Sequence, residues 1–428
     1  MTANDTDTDI LIAGGGLAGA TLALALARMV PQLRITVAET FPLAINAEPS
    51  SYQPSYDARS TALAWGSRLI YEQLGLWPAL AQHAAPIRHI HVSDRGHFGA
   101  ARLHAAEYRQ DALGYVVDNR WMGLCLVREL LKTQVQWLAP AEVTDMTCHG
   151  DNVRVTVTTA GEARELSARC LVVADGGRSD LRERLGFQAR HQPYGQNALI
   201  ANVTTADSHQ FTAYERFTDS GPMALLPHGL PTRASHQSAL VWTLSDSELE
   251  EVLAMPDADK CTRLQQRFGW RLGRFTRIGE CNHYPLALTL VDNPVRPGVA
   301  LVGNAAHSLH PVAGQGFNLA LRGLMTLVEQ FRLASEQGSN PGELAVLQRY
   351  QQLHQSDRVQ TAGFSDSLIQ IFGSPLPPLA AARDAGLMGL DLLPAAKRWF
   401  AGNAMGLGGR KARIQRPGFD NSKALNHD

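Results

Sequence analysis

Cysteine is scarce in this chain, with five in 428 residues (Cys125, Cys148, Cys170, Cys261 and Cys281). They are scattered, odd in number and without metal-ligand spacing. That excludes a disulfide framework, gives no reason to expect a metal, and suits a reducing compartment. An excess of one charge is also missing, with Lys plus Arg at 39 against Asp plus Glu at 40. Such a balance gives no footprint for nucleic acid. The start, Met1 to Asp9, is polar and acidic where a signal peptide would be basic, so a cytoplasmic location is expected. The longest apolar stretch, Ile10 to Leu26, contains Gly15-x-x-x-Gly19 and invites a membrane reading. Three consecutive glycines, Gly14 to Gly16, would break such a helix near its start. No nucleophile elbow, Walker loop, internal repeat or second dinucleotide fingerprint is present.

What is present is glycine in pattern. Apolar Ile10 to Ala13 runs into Gly14-x-Gly16-x-x-Gly19, then an Ala- and Leu-rich helix over Ala20–Met29, then a strand at Arg34–Ala38 ending at Glu39. The spacing predicts a βαβ unit. Gly14, Gly16 and Gly19 allow a sharp turn and close approach to a pyrophosphate, with Leu17 and Ala18 opening the helix whose N-terminus faces the charge. Glu39 stands where a carboxylate accepts hydrogen bonds from ribose hydroxyls, and it argues against a 2′-phosphate there.

Two further motifs follow. Leu171 to Ala174 leads into Asp175-Gly176-Gly177-Arg178-Ser179-x-x-Arg182. Alone this reads equally well as an ordinary Asp-Gly turn; beside the other motifs the ligand reading prevails. Val299 to Val302 leads into Gly303-Asn304-Ala305-Ala306-His307, and Gly314-Gln315-Gly316-Phe317-Asn318 opens the next helix. Small residues let backbone run close to a ligand, and Asn304 can hydrogen-bond a polyol such as a ribityl chain. The helix N-terminus would favour a negative flavin edge. Strand–loop–helix motifs so far apart can close on opposite ends of one extended cofactor, which makes the chain a flavoprotein. His307 and His310 are read as capping and packing residues, since no acidic or cysteine ligand accompanies them. In Asp57-Ala58-Arg59-Ser60 a phosphate contact and a solvated arginine fit Arg59 equally.

Such a length allows two or three domains. Ala58–Leu74 reads as a helix, Tyr115–Val117 as extended, Trp121–Leu131 as a helix and Val153–Val157 as a half-buried strand. Asn197–Thr204, Phe211–Phe217, Met223–Leu226 and Leu240–Leu244 read as short strands of an antiparallel sheet. Past Gln348 the chain reads as helical, broken at Pro375, Pro377 and Pro378. The fold class expected is α/β: a Rossmann-like FAD/NAD(P)-binding domain with an inserted antiparallel β-sheet substrate domain and a helical C-terminal tail. Residues 1–86, 112–187 and 285–350 are assigned to the discontinuous FAD-binding domain, 87–111 and 188–284 to the substrate domain, and 351–428 to the tail. The tryptophans, among them Trp65, Trp77 and Trp242, are read as core. Leu368-Ile369, Leu392-Leu393 and Trp399-Phe400 make the tail too apolar for a free end, and Lys397, Arg398, Arg410, Lys411, Arg413 and Arg416 cluster near its close.

The three motifs in this order resemble the single-component flavin aromatic hydroxylases of the p-hydroxybenzoate hydroxylase fold, over nearly all of the first 350 residues. Asp57-Ala-Arg-Ser-Thr-Ala-Leu63, Val116-Val-Asp-Asn-Arg120, Glu215-Arg-Phe-Thr-Asp-Ser-Gly-Pro-Met-Ala-Leu-Leu-Pro227 and Gly303–His307 are similar to the ubiquinone-biosynthesis branch. The resemblance implies that Gly14, Gly16 and Gly19 hold the pyrophosphate of FAD and Glu39 its ribose. Arg59 and Asn119 would lie along it, Asp175 would serve FAD and nicotinamide, Asn304 the ribityl chain, and Gly316, Phe317 and Asn318 the flavin ring. Pro311, Gln315 and Gly316 would form the catalytic face. Asn304 departs from the family's usual aspartate, keeping a hydrogen bond and losing a charge; Gly323 stands where an acidic residue is commoner. The implied reaction has NAD(P)H, a transient reductant, reduce FAD. The reduced flavin captures O₂ as a hydroperoxide, whose distal oxygen passes to a polyprenyl phenol ring. Other readings are a hydroxylase of another ring carbon or aromatic substrate, a prenyl reductase, or a non-catalytic prenyl-lipid escort that shares only the first motif. Asp175-Gly176 and Gly303–His307 argue against the escort. The prenyl tail needs a long apolar channel, expected between the inserted sheet and the flavin domain. For the tail, packing is one reading. Peripheral contact with the inner face of the cell membrane, a ubiquinone-biosynthesis complex, and a homo-oligomer are the others.

Overall fold

The structure is a computed structural model that describes residues 6–43, 59–229, 236–373, 377–408 and 412. Asp57, Ala58, Pro375 and the basic residues Arg410, Lys411, Arg413 and Arg416 lie outside the described residues.

Five parallel strands form the frame, in the order Gln136–Leu138, Ile35–Ala38, Thr8–Ala13, Glu162–Val173, Val299–Leu301. Thr8–Ala13 is central and wholly buried. Its alternation sends Ile10 and Ile12 into one core with the helices Leu17–Met29, Asn119–Leu130 and Gln315–Glu336. Leu11 and Ala13 enter a second core with the hairpin Glu142–His149 and Asn152–Thr159. Burial on both faces explains the unbroken apolar run of Ile10 to Leu26: it is a central strand and a central helix. The helix begins at Leu17, not Ala20, so the third glycine lies inside it.

Ala58–Leu74 is not one helix. Ser60–Ala64 is a strand, and only Trp65–Gln73 is helical. Ser60–Ala64 pairs antiparallel with Gly114–Asp118, which also pairs with Ala84–Ile87, so tertiary pairing overrides the local alanine-rich preference.

Among the described residues the second sheet has nine strands: eight run from His307–Ser308 through Asn282–Val291, Ala189–Thr205, Gln237–Ser245, Gly221–Pro227 and Thr212–Thr218 to His89–Asp94 and Ala100–His104, and Phe275–Ile278 pairs with Ala189–Thr205 beside them. It is antiparallel except where Thr212–Thr218 runs parallel to His89–Asp94, a strand from a much earlier part of the chain. One face is covered by Asp246–Ala254 and Asp257–Phe268, packed on Leu199, Met223, Leu225 and Trp242. The other face is turned toward the first sheet and the tail.

Among the described residues the tail is three helices, Leu344–Gly373, Pro377–Leu392 and Pro394–Ala404. Pro377 and Pro394 begin helices, where a missing N–H is harmless. Arg383 fixes the middle helix to the sheet: its Nε lies 3.1 Å from Asp94 Oδ2, with both side chains buried. Phe372 stacks on Phe217 with centroids 3.7 Å apart. Trp65, Trp77 and Trp242 are buried as expected, whereas Trp270 and Trp399 are exposed.

Candidate active site

All the motif loops lie at the C-terminal edge of the parallel sheet: Gly14 after the central strand, Glu39 and Asp175 after its two neighbours, Gly303 beyond. Open α/β sheets bind ligands at this edge. A cavity of about 1210 Å³ opens there. Its wall includes Gly14, Gly16, Leu17, Ala18, Glu39, Arg59, Asn119, Asp175, Gly303, Asn304, Pro311, Gln315, Gly316, Phe317 and Asn318. Of the positions expected at the site only Gly19 is absent from the wall, and it serves from behind. A Cβ on Gly19 would lie 1.9 Å from Gly14 O, so its hydrogen lets the helix sit against the turn.

Gly14 has φ +100°, and a Cβ there would meet Ala174 O at 2.8 Å. Gly16 differs: a Cβ would meet nothing within 4 Å. The room beside it belongs to the cavity, not to the protein's own packing. The helix beginning at Leu17 has no side-chain cap and no acidic residue in its first turn, so its opening N–H groups face that room. This is a cradle for a diphosphate. Glu39 is fixed beside it: Oε2 accepts from Gly15 N–H at 2.6 Å and Oε1 from Phe41 N–H at 3.0 Å. The carboxylate retains lone pairs for ribose hydroxyls.

Asp175 Oδ2 accepts from Ser179 Oγ at 2.7 Å, and burial pushes its carboxyl above the usual range. Ser179 Oγ in turn accepts from Arg182 N–H at 3.0 Å, capping a short helix. The buried Arg182 donates through Nη1 to Gly177 O at 3.3 Å and Ala305 O at 3.5 Å. It thus clasps two motif loops together. The run Ser179-x-x-Arg182 carries no sign of this role in the sequence, because Ala305 lies far along the chain. Asn304 projects toward the same cavity and is exposed there.

The long helix Gln315–Glu336 opens on the cavity from Gly314, which is left-handed at φ +60°. A Cβ on Gly316 would also meet nothing within 4 Å. Asn318 behaves differently from the flavin contact that the resemblance implied. Its Oδ1 accepts from Ala64 N–H (2.8 Å) and Ser67 Oγ (2.7 Å), while Nδ2 donates to Ala62 O (2.9 Å) and Gly314 O (2.8 Å). The side chain is a clamp between the Ser60–Ala64 strand and the helix start. Asn119 accepts from Thr61 Oγ1 at 2.6 Å, and Arg59 lies over the Tyr284 ring at 4.5 Å.

His307 and His310 are buried and lie off the cavity wall. Neither caps a helix: no ring nitrogen has a hydrogen-bond partner. Burial drives His307 well below its ordinary value and His310 to about 4, so both are neutral packing groups. Among the described residues no His, Cys, Asp or Glu cluster is placed to hold a metal.

Beyond the motif loops the cavity becomes an apolar arm. Its walls are the open face of the second sheet and, unforeseen from sequence, the tail, through Phe364, Leu368, Phe372, Leu387 and Leu390. The channel was expected between sheet and flavin domain only. The tail supplies a third wall because its apolar face follows helical spacing that leaves its partner unspecified.

Comparison with known proteins bears on this arrangement. Residues 7–352 match the family model described as FAD binding domain. Ubiquinone hydroxylase UbiL of Rhodospirillum rubrum is 35% identical over 96% of this chain and 93% of its own length. The 3-demethoxyubiquinol 3-hydroxylase of Escherichia coli is 30% identical over 94% of this chain and 99% of its own. Among solved structures, p-nitrophenol 4-monooxygenase PnpA of Pseudomonas putida superposes with a TM-score of 0.76 at 17% identity, covering 94% and 99% of the two chains.

Proposed function

The chain belongs to the FAD-binding-domain family, in its ubiquinone-hydroxylase branch, and from that premise we propose that it hydroxylates the ring of a polyprenyl phenol in ubiquinone biosynthesis. It is a flavin-dependent aromatic monooxygenase using FAD, O₂ and NAD(P)H. The observation that carries the reading is one cavity with two chemistries. At one end are a diphosphate cradle, a ribose acceptor and a helix N-terminus; at the other is an apolar arm. Asp57–Leu63, Val116–Arg120, Glu215–Pro227, Gly303–His307 and the tail motif Phe372-Gly-Ser-Pro-Leu-Pro-Pro378 resemble 2-octaprenyl-6-methoxyphenol hydroxylase. That finer identity is part of the proposal.

When bound, FAD supplies the redox chemistry that lets O₂ react with a ring carbon. The chain's own residues do the rest. The helix start at Leu17 and Ala18 binds the diphosphate, and Glu39 orients the ribose. Asn304 would hold the polyol, and the N–H groups at Gln315 and Gly316 would favour negative charge on a bound flavin. The apolar arm holds the prenyl chain and keeps water away from the reacting ring. By this reading the described residues within 1–86, 112–187 and 285–350 hold the cofactor, and those within 87–111 and 188–284 cover the ring. Purified protein should be yellow, release FAD on denaturation, and transfer one atom of labelled O₂ to a polyprenyl phenol when given NAD(P)H. A folded sample that neither contains nor takes up FAD would overturn the reading.

A lipid-borne substrate also needs delivery. Leu392, Leu393 and Trp399 are exposed beside Arg398 in the described tail, while Lys397 is held by Glu107 and Asp391, and among the described residues no helix is long and apolar enough to cross a membrane. We infer a peripheral lipid contact there. Co-sedimentation with anionic vesicles should drop in Trp399→Ser; an unchanged bound fraction in that variant would favour a partner subunit instead.

A further inference from the structure

Among the described residues three carboxylates line the cavity: Glu39, Asp175 and Glu215. The first two belong to the nucleotide motifs. Glu215 belongs to none, and lies in the other half. It sits on Thr212–Thr218, opposite Ala224 on one side and Val92 on the other. Strand alternation gives this sheet two different faces. Tyr214, next to Glu215, packs against Phe268 on the helix-covered face. Glu215 therefore faces the cavity, in a row with Ile200, Val241, Ala224 and Val92. Asp94 shares that face but is turned to Arg383 and lies off the cavity wall, so among the described residues Glu215 is the one acidic side chain of that sheet that lines the cavity.

An ionised carboxylate is a costly neighbour for a purely apolar ligand, and a polyprenyl chain offers it nothing. A phenol does, because its ring hydroxyl is a strong donor. Arg383, which lines the cavity from the tail, pairs with Asp94 and donates through Nη1 to Ile371 O at 2.9 Å and Phe372 O at 3.2 Å. A carboxylate accepts at two oxygens, so a contact within the protein leaves capacity for a ligand.

We propose that Glu215 binds the ring hydroxyl of the substrate, so that the sheet face fixes which ring carbon is turned toward the flavin edge. The assignment rests on the ring-hydroxylase reading above. Glu215 is a substrate-contacting residue that orients the ring; the charge it presents also raises electron density in a ring that donates a hydrogen bond to it.

The test uses the FAD-loaded full chain and two ligands, a polyprenyl phenol and its O-methyl ether, with dissociation constants read from the absorbance change of the bound flavin. Wild-type protein should prefer the phenol by about tenfold to a hundredfold, the range of a hydrogen bond to a charged group. Glu215→Leu should lose that preference and bind both ligands alike, with FAD content and thermal midpoint kept. Glu215→Gln, nearly isosteric and still an acceptor, should keep part of it. A Glu215→Leu or Glu215→Gln protein with the full wild-type preference overturns the assignment alone. Wild-type protein that binds neither ligand overturns the ring-hydroxylase reading and this assignment with it.

Discussion

Single positions divide into those that shape the protein and those that leave room for what it binds. Gly19 and Gly16 are the sharpest pair. A Cβ at Gly19 collides with Gly14 O, while one at Gly16 meets no protein atom, and Gly16 has φ −62°, which any residue adopts. Gly16→Val should therefore fold with an unchanged apoprotein thermal midpoint yet lose nearly all flavin, as read by the absorbance ratio of pure protein. Asn304→Asp should keep FAD, because amide and carboxylate are near-isosteric and both accept hydrogen bonds. A colourless variant would show that the amide N–H₂ is needed. Gly323, which breaks the family's habit, also has an explanation. A Cβ there would stand 2.6 Å from His354 Nε2, and Arg322 finds its acid in Asp357 at 2.6 Å. The carboxylate commoner at position 323 is supplied here from the tail.

At the scale of elements, the site depends on how one helix start is held. Asn318 satisfies four polar groups, and three of its four bonds join the long helix to Ser60–Ala64 or the adjoining Trp65–Gln73, the fourth going to Gly314 O. Asn318→Leu leaves those groups buried and unpaired, at a cost of about 1–3 kcal/mol for each one that finds no water. The thermal midpoint should fall by several degrees, and flavin affinity with it. The tail gives a separate prediction. Leu387 is buried and lines the apolar arm. Leu387→Trp should shorten that arm, raising KM for a long-tailed phenol by at least about tenfold while sparing a short-tailed analogue, since each excluded methylene forgoes about 0.8 kcal/mol. Equal effects on both substrates would place the prenyl chain elsewhere.

The whole molecule carries a built-in acid lability. His307, His310 and His354 are all buried, and burial lowers each, His310 to about 4 and His354 to about 3. An imidazole neutral in the fold takes up a proton readily once unfolded. Between the unfolded value near 6.5 and those lowered values the unfolded chain binds more protons, so stability rises with pH. Asp175, raised by burial, acts in the opposite sense and weakens the slope. Cooling of the thermal midpoint from about pH 7 to about pH 5 should be steeper for wild-type protein than for His310→Phe, whose ring cannot titrate. Matching slopes in thermal scans would assign the lability to other groups.

The sequence by itself determined the βαβ frame, the three motif loops and their shared ligand, because glycine spacing and buried apolar runs are local signals with few alternatives. The strand Ile10–Ala13, found two residues longer as Thr8–Ala13, and the places of Asp175 and Gly303 after strand ends could be read without a structure. Only the tertiary structure decided that Ser60–Ala64 is a strand, that Asn318 is a clamp and that Arg182 clasps two loops. Each depends on partners far along the chain, which composition and period leave unspecified. The same holds for the tail and for Glu215. A helical period shows that a face is apolar, and a strand period that a residue alternates. What fills the space opposite is settled only when the tail folds back over the sheet and closes the arm.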